Sequence, residues 1–241
     1  MYICGRITNK IRIMAYTKEQ IIEMCEKASE DMKSFYTQGF VNYRGKSNEG
    51  ILYTEIIAEW LLQHIEKFQE IQSIERKRGY KTPGHDGIID RETNRKEEIT
   101  AKRLFNTKKT FEGFGRIIDY QIPLKNVKSD KGLGKIDLLS LNNKTKSIYI
   151  LELKKEDSKE TMLRCILEAF TYSRIVSKKK LFKSFKVEDN YKLKASPLVY
   201  MNGVQYNEFM DKNREYLHQL MIKLESTPFF IEENVTFQIN K

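Results

Sequence analysis

No apolar run in this chain approaches the roughly 18 residues a membrane-spanning helix needs. The first residues also lack the continuous apolar region of a secretory signal, so a cytoplasmic protein with no membrane partner is expected. Cysteine is scarce: Cys4, Cys25 and Cys165 share no metal-ligand spacing and leave an odd thiol unpaired. That excludes a disulfide framework and fits a reducing compartment. Cys165 falls within an apolar helical pattern and reads as core, not nucleophile. Only His64, His85 and His218 carry imidazoles, without ligand spacing, so a histidine metal centre is set aside, His85-Asp86 included. Gly132-Leu133-Gly134-Lys135 lacks the Ser/Thr and glycine spacing of a phosphate loop and precedes a strand. It more simply eases the chain into that strand. No internal repeat or low-complexity tract is present.

What remains suits a folded, basic protein. The 241 residues allow one elaborated domain or two small ones. A hydrophobic content of 40% supports a core, and 11% aromatics argue against disorder. Forty-three basic residues against 33 acidic ones leave +10, a balance that favours a polyanion such as nucleic acid. Lysine-coated surfaces are the plainer account, but the charge is uneven. Arg174 to Lys194 holds eight Lys or Arg and two acids, with Phe182, Phe185 and Tyr191 interleaved. Lys178, Lys179, Lys180, Lys183 and Lys186 therefore become candidate phosphate contacts. A solvated helix end explains the same stretch equally well.

Residues 18–36 and 51–72 predict two amphipathic helices, giving an N-terminal helical region over 1–75. Met14-Ala15-Tyr16-Thr17 reads as an alternative start, with residues 1–13 an extension outside the fold. Residues 76–95 are basic and broken by glycine and proline, a loop or arm. Then follow a helix at 96–106, strands at 115–124, 135–141 and 147–154, a helix at 158–177 and a strand at 197–201. A helix at 205–224 and terminal strands within 229–239 complete a C-terminal region, 203–241. The expected class is α/β (α+β), with a mixed sheet flanked by helices.

The second and third strands carry the chemistry. A four-residue turn at Asn143–Lys146 sets a register in which Leu141 meets Ile148 and Leu139 meets Ile150. Asp137 would then oppose Glu152, with Lys154 on the same face. Opposed Cβ atoms stand roughly 4.5–5.5 Å apart, so two carboxylates there repel unless a cation lies between them. A hard dication with oxygen ligands, Mg²⁺ or Mn²⁺, fits that need. The plainer account of Glu-x-Lys at a strand end is an exposed salt bridge.

Gly134-Lys-Ile-Asp-Leu-Leu139 followed by Glu152-Leu-Lys154 resembles the PD-(D/E)xK, restriction-endonuclease-like nuclease superfamily. The resemblance covers residues 96–202 and implies an αβββαβ core. It departs at Ile136, where the motif's name has proline. It implies Asp137 and Glu152 as metal ligands, joined by the Leu153 carbonyl, with Lys154 orienting or deprotonating water. It also implies an acid on the preceding helix, Glu97 or Glu98. A first helical turn favours acids in any case. Glu168 and Tyr172 match a supporting pair on the following helix, although Arg164 could hold Glu168 as an i, i+4 partner. The expected activity is metal-dependent hydrolysis of DNA, and a homodimer is among the expected assemblies. Two alternatives stay open: a weakly active or inactive nucleic-acid-binding module of this fold, and an interaction protein acting through its N-terminal helices.

Overall fold

The computed structural model describes residues 15–89, 95–126, 134–232 and 237–238. Residues 1–13, Cys4, Gly132 and the basic stretch 90–94 lie outside the described residues. Helices α1 (Lys18–Ala28) and α2 (Tyr53–Gln63) precede α3 (Lys96–Asn106). Strands β1 (Thr110–Phe111), β2 (Gly115–Pro123), β3 (Lys135–Asn142) and β4 (Ser147–Leu153) follow. Next come α4 (Met162–Ile175), α5 (Lys178–Phe185) and β5 (Lys192–Tyr200). The chain continues through α6 (Val204–Met210), α7 (Glu215–Lys223), β6 (Phe229–Ile231) and β7 (Phe237–Gln238).

Among the described residues the strands form one mixed sheet in chain order. β1 to β4 are antiparallel neighbours, β4–β5 and β5–β6 are parallel, and β6–β7 is antiparallel. The α4–α5 crossover permits the parallel β4–β5 pair, which a tight turn could not connect. Alternation of side chains divides the sheet's two faces. Leu139, Ile148 and Ile150 join a cluster with residues of α1, α2, α4, α5 and α7. Leu138, Leu151 and Leu153 join a second cluster with Ala101 and Leu104 of α3. The result is mixed α/β, with helices on both faces. Among the described residues no helix is long and apolar enough to cross a membrane.

Several boundaries depart from sequence expectation for tertiary reasons. The helix expected over 158–177 breaks at Val176, which is extended and bridges Ile74, while Ser177 N–H donates to Tyr80 Oη at 3.1 Å. The helix expected over 205–224 is two helices parted at Asp211, whose carboxylate accepts the Asn213 N–H at 3.0 Å. α1 and α2 stop at Ala28 and Gln63, and short 3₁₀ turns follow. Strand β5 begins at Lys192, earlier than expected.

The segment 76–89 is a packed strap, not a projecting arm. Tyr80 is buried, Tyr80 N–H donates to Ser184 Oγ at 2.9 Å, and Gly87 N–H donates to Tyr120 Oη at 3.0 Å. His85 stacks on Tyr120 and holds the buried Asp119 at 2.6 Å. His85 and Gly87 thus tie this strap to the Asp119 and Tyr120 side chains of β2. The N-terminal and C-terminal helices are also tied together. Glu55 of α2 accepts the Tyr216 and Leu217 N–H groups at 2.8 and 3.0 Å, satisfying the start of α7.

Candidate active site

β4 is buried at every residue, Glu152 included. Its pairing with β3 follows the expected register from Asn142–Ser147 to Leu138–Leu151. The ladder ends there, one pair short of Asp137 opposite Glu152. The Asp137 side chain explains the stop. Its Oδ2 accepts the Leu153 N–H at 3.0 Å, a backbone donor from β4. Its Oδ1 accepts from Gln121 Nε2 at 2.8 Å. Gln121 lies on β2 between the pairs Tyr120–Leu138 and Ile122–Ile136 and has a positive φ of 47°. Sequence reasoning missed it, because nothing in Tyr120-Gln121-Ile122 signals that backbone turn.

Lys154 is the hub of the cluster. Its Nζ lies 2.8 Å from Glu152, 2.8 Å from Glu160 and 3.1 Å from Glu168. Burial alone would favour the neutral amine, but the attraction of Glu152 and the other acids outweighs it, so Lys154 stays an ammonium. Glu168 also accepts from Tyr172 Oη at 2.8 Å, and Tyr36 Oη donates to Tyr172 Oη at 3.4 Å. Arg164 pairs with Glu160 at 3.3 Å and leaves Glu168 to Lys154. Glu160, absent from the sequence-based site, sits in the loop before α4 where no periodicity could flag it.

Charge does not balance here. Asp137, Glu97, Glu152, Glu160 and Glu168 outnumber Lys154 and Arg164. Desolvation, with repulsion from Glu97 and Glu168, pushes the Asp137 carboxyl up to about 7. Burial, then Asp137 and Glu168, raises Glu152 well above the ordinary carboxylate range. Both shifts disfavour the ionised carboxylates, a cost that a bound cation would offset.

Glu97 and Glu98 separate clearly. Glu98 pairs with Lys102 at 3.0 Å and Arg95 at 3.6 Å. Glu97 accepts the Lys155 N–H at 3.3 Å and contributes to the rise at Asp137. Both line a cavity of about 410 Å³ with Asp137, Gln121 and Lys155.

The donors suit a hard dication only in part. Asp137 and Glu152 offer carboxylate oxygens. Leu153 turns its N–H to Asp137, and in an extended strand its carbonyl faces the same neighbour. Among the described residues, however, no three His, Cys, Asp or Glu side chains converge as a metal-ligating group. Lys154 holds Glu152 aside, so the fit rests on two acids and one carbonyl.

The expected nucleic-acid lysines lie elsewhere. Lys178, Lys179, Lys183 and Lys186 are exposed, while Lys180 bonds the Arg76 carbonyl. Lys178 and Lys179 line a concavity of about 840 Å³ with Arg174 and Lys192. Lys192 pairs with Ser147, whereas Leu198 pairs with Leu153 beside the acids. Six residues of strand put those ends about 20 Å apart. Cys165 is fully buried, and burial holds its thiol protonated, as a core residue. No protein-family model, curated protein or solved structure matches this chain.

Proposed function

We propose that this chain is a metal-dependent nuclease of the PD-(D/E)xK, restriction-endonuclease-like class, hydrolysing DNA phosphodiesters. The observation that carries the reading is the surplus of acid at buried and half-buried positions. Asp137 and Glu152 stand at adjoining strand ends and hold carboxyls above their usual range, and Asp137 borders a cavity that Glu97 shares. Surplus buried charge is costly and persists where function uses it. The element order α3-β2-β3-β4-α4-β5 supports the same class.

Asp137, Glu152 and the Leu153 carbonyl would hold Mg²⁺ or Mn²⁺. The bound ion would supply Lewis acidity, an activated water and charge neutralisation at the phosphate. Gln121 and the Leu153 N–H fix the Asp137 carboxylate in place. Lys154, kept as an ammonium, contributes charge and orientation and does not accept the water's proton. Glu97 faces the same cavity and would order its water.

One observation favours a second reading, a nucleic-acid-binding module with little cleavage. Lys154 is fully engaged by three carboxylates and is only 6% exposed. Supercoiled plasmid, linear duplex, single-stranded DNA and RNA, each incubated with Mg²⁺ or Mn²⁺, separate the two. Cleavage lost in Asp137→Ala and Lys154→Ala supports the nuclease. Cleavage that persists in both sinks the site assignment, and binding without cleavage in either metal supports the module.

A further inference from the structure

Three hollows run one into the next beside the acids. The first, of about 410 Å³, holds Asp137 and Glu97 and is edged by Lys96 and Lys155. The second, of about 340 Å³, repeats Lys96 and Lys155 and adds Ile99, Thr100, Arg103 and Tyr200. The third, of about 550 Å³, shares Glu156 and Tyr200 with the second. Together they form a trough leading from the acid cluster along one face of α3. Lys96, Ile99, Thr100 and Arg103 share that face by helical spacing, while Ala101 and Leu104 bury the opposite face on the sheet.

We infer that this trough carries an unpaired segment of the nucleic-acid strand into the site, an inference that rests on the function proposed above. Lys96 and Arg103 stand seven residues apart, about 10 Å of helix. Both side chains are exposed, so backbone phosphates can reach them. Ile99 and the partly exposed Tyr200 supply the apolar floor on which unpaired bases pack, a surface that duplex DNA has no use for.

An anion already occupies the phosphate position. Asp157 lies 3.2 Å from Lys96 and 3.5 Å from Lys155. All three are open to water, with side-chain exposures of 68%, 45% and 57% for Lys96, Lys155 and Asp157. Such pairs are held weakly and exchange readily for a stronger anion. Asp157 therefore acts as a stand-in that an incoming phosphate displaces, and Glu156 and Glu232 make the trough's far end acidic, so the strand's contacts lie at its Lys96–Arg103 end.

The test is binding without metal, by fluorescence anisotropy in EDTA, using labelled oligodeoxythymidine across a salt series. The double variant Lys96→Gln, Arg103→Gln should flatten the log–log salt slope by about 1.4, at roughly 0.7 per lost phosphate contact on a single strand. Asp157→Asn should tighten binding. Tyr200→Leu, which keeps the packing, should weaken it by about 5- to 100-fold, and Tyr200→Phe should restore it. The double variant Lys178→Gln, Lys179→Gln removes equal charge at the distant concavity and should leave the slope unchanged. A slope unmoved by the Lys96 and Arg103 changes, or moved equally by the distant pair, overturns the inference. Cleavage with an unmoved slope would reject the trough and keep the nuclease. Groove-dependent binding without cleavage in any metal would keep the trough and reject the nuclease.

Discussion

Replacing Asp137 by Asn should stabilise the metal-free protein at alkaline pH while removing cleavage. The Asp137 carboxyl titrates near 3.8 when exposed and at about 7 in the fold. A folded value raised in this way means stability is fully present below about pH 4 and is lost as pH rises through about 7. The whole shift would correspond to roughly 4 kcal/mol at pH 8. Asp137 borders an open cavity, so solvent screening brings this to about 2 kcal/mol. Asn keeps the geometry: its carbonyl can accept the Leu153 N–H, and the Gln121 amide can turn to accept from Nδ2. For a chain of this size about 2 kcal/mol is about 4–8 °C in Tm. Thermal melts in EDTA at pH 5 and pH 8 measure it. The variant should exceed the native protein at pH 8 and converge with it toward acid pH, as Asp137 itself becomes neutral. Equal melting temperatures at both pH values would show that the buried charge costs nothing and would remove the main support for a cation site.

Lys154→Met strips the cation from Glu152, Glu160 and Glu168 and should cost about 3–5 kcal/mol in chemical denaturation at pH 8, whereas the exposed Lys155→Met should cost little. Equal losses from the two would contradict the charge balance drawn here. Glu97→Gln should slow plasmid cleavage by about 10- to 100-fold. Glu98→Gln breaks a helix-surface pair worth about 0.3–0.5 kcal/mol and should leave the cleavage rate intact; the reverse order would exchange their roles. Gly134→Ala drives a Cβ against Tyr172 Oη and should lower stability by about 1–3 kcal/mol. Adding Tyr172→Phe should recover only part of that loss in thermal melts, because Cζ still lies 2.8 Å from the new Cβ, and no recovery at all would locate the strain elsewhere.

The parts of the fold with strong periodicity were readable directly. Helix α3 and the β3–β4 hairpin appear where the apolar pattern put them, the helix burying one periodic face and the hairpin burying continuous apolar runs on both faces of the sheet. The four-residue turn also fixed the pairing through Leu138–Leu151. Reading failed where a distant residue decides the local backbone. Val176 leaves the helix to bridge Ile74, and the Tyr80 hydroxyl takes the next N–H, with no Gly or Pro to announce the break. In the site, Asp137, Glu152 and Lys154 were legible as charges stranded in apolar strands. Gln121 and Glu160 were not, since one depends on a positive φ and the other on where a loop returns. The choice between Glu97 and Glu98 needed side-chain partners that a helical wheel does not contain.

The N-terminal helices fall outside the family resemblance, yet they close the site from behind. Tyr36, in a short turn after α1, donates to Tyr172, which donates to Glu168, which in turn receives Lys154. Burial and the nearby Glu168 keep the Tyr172 phenol protonated, so it remains a donor to that carboxylate. Glu168 with this donor is held ready to bind the ammonium, and the ammonium in turn holds the Glu152 carboxylate at 2.8 Å. A cation entering between Asp137 and Glu152 must compete with Lys154 for the Glu152 carboxylate. On the proposed function, its affinity would depend on Tyr36, Glu168 and Tyr172 as well as on the two acids, which ties the N-terminal region to the site.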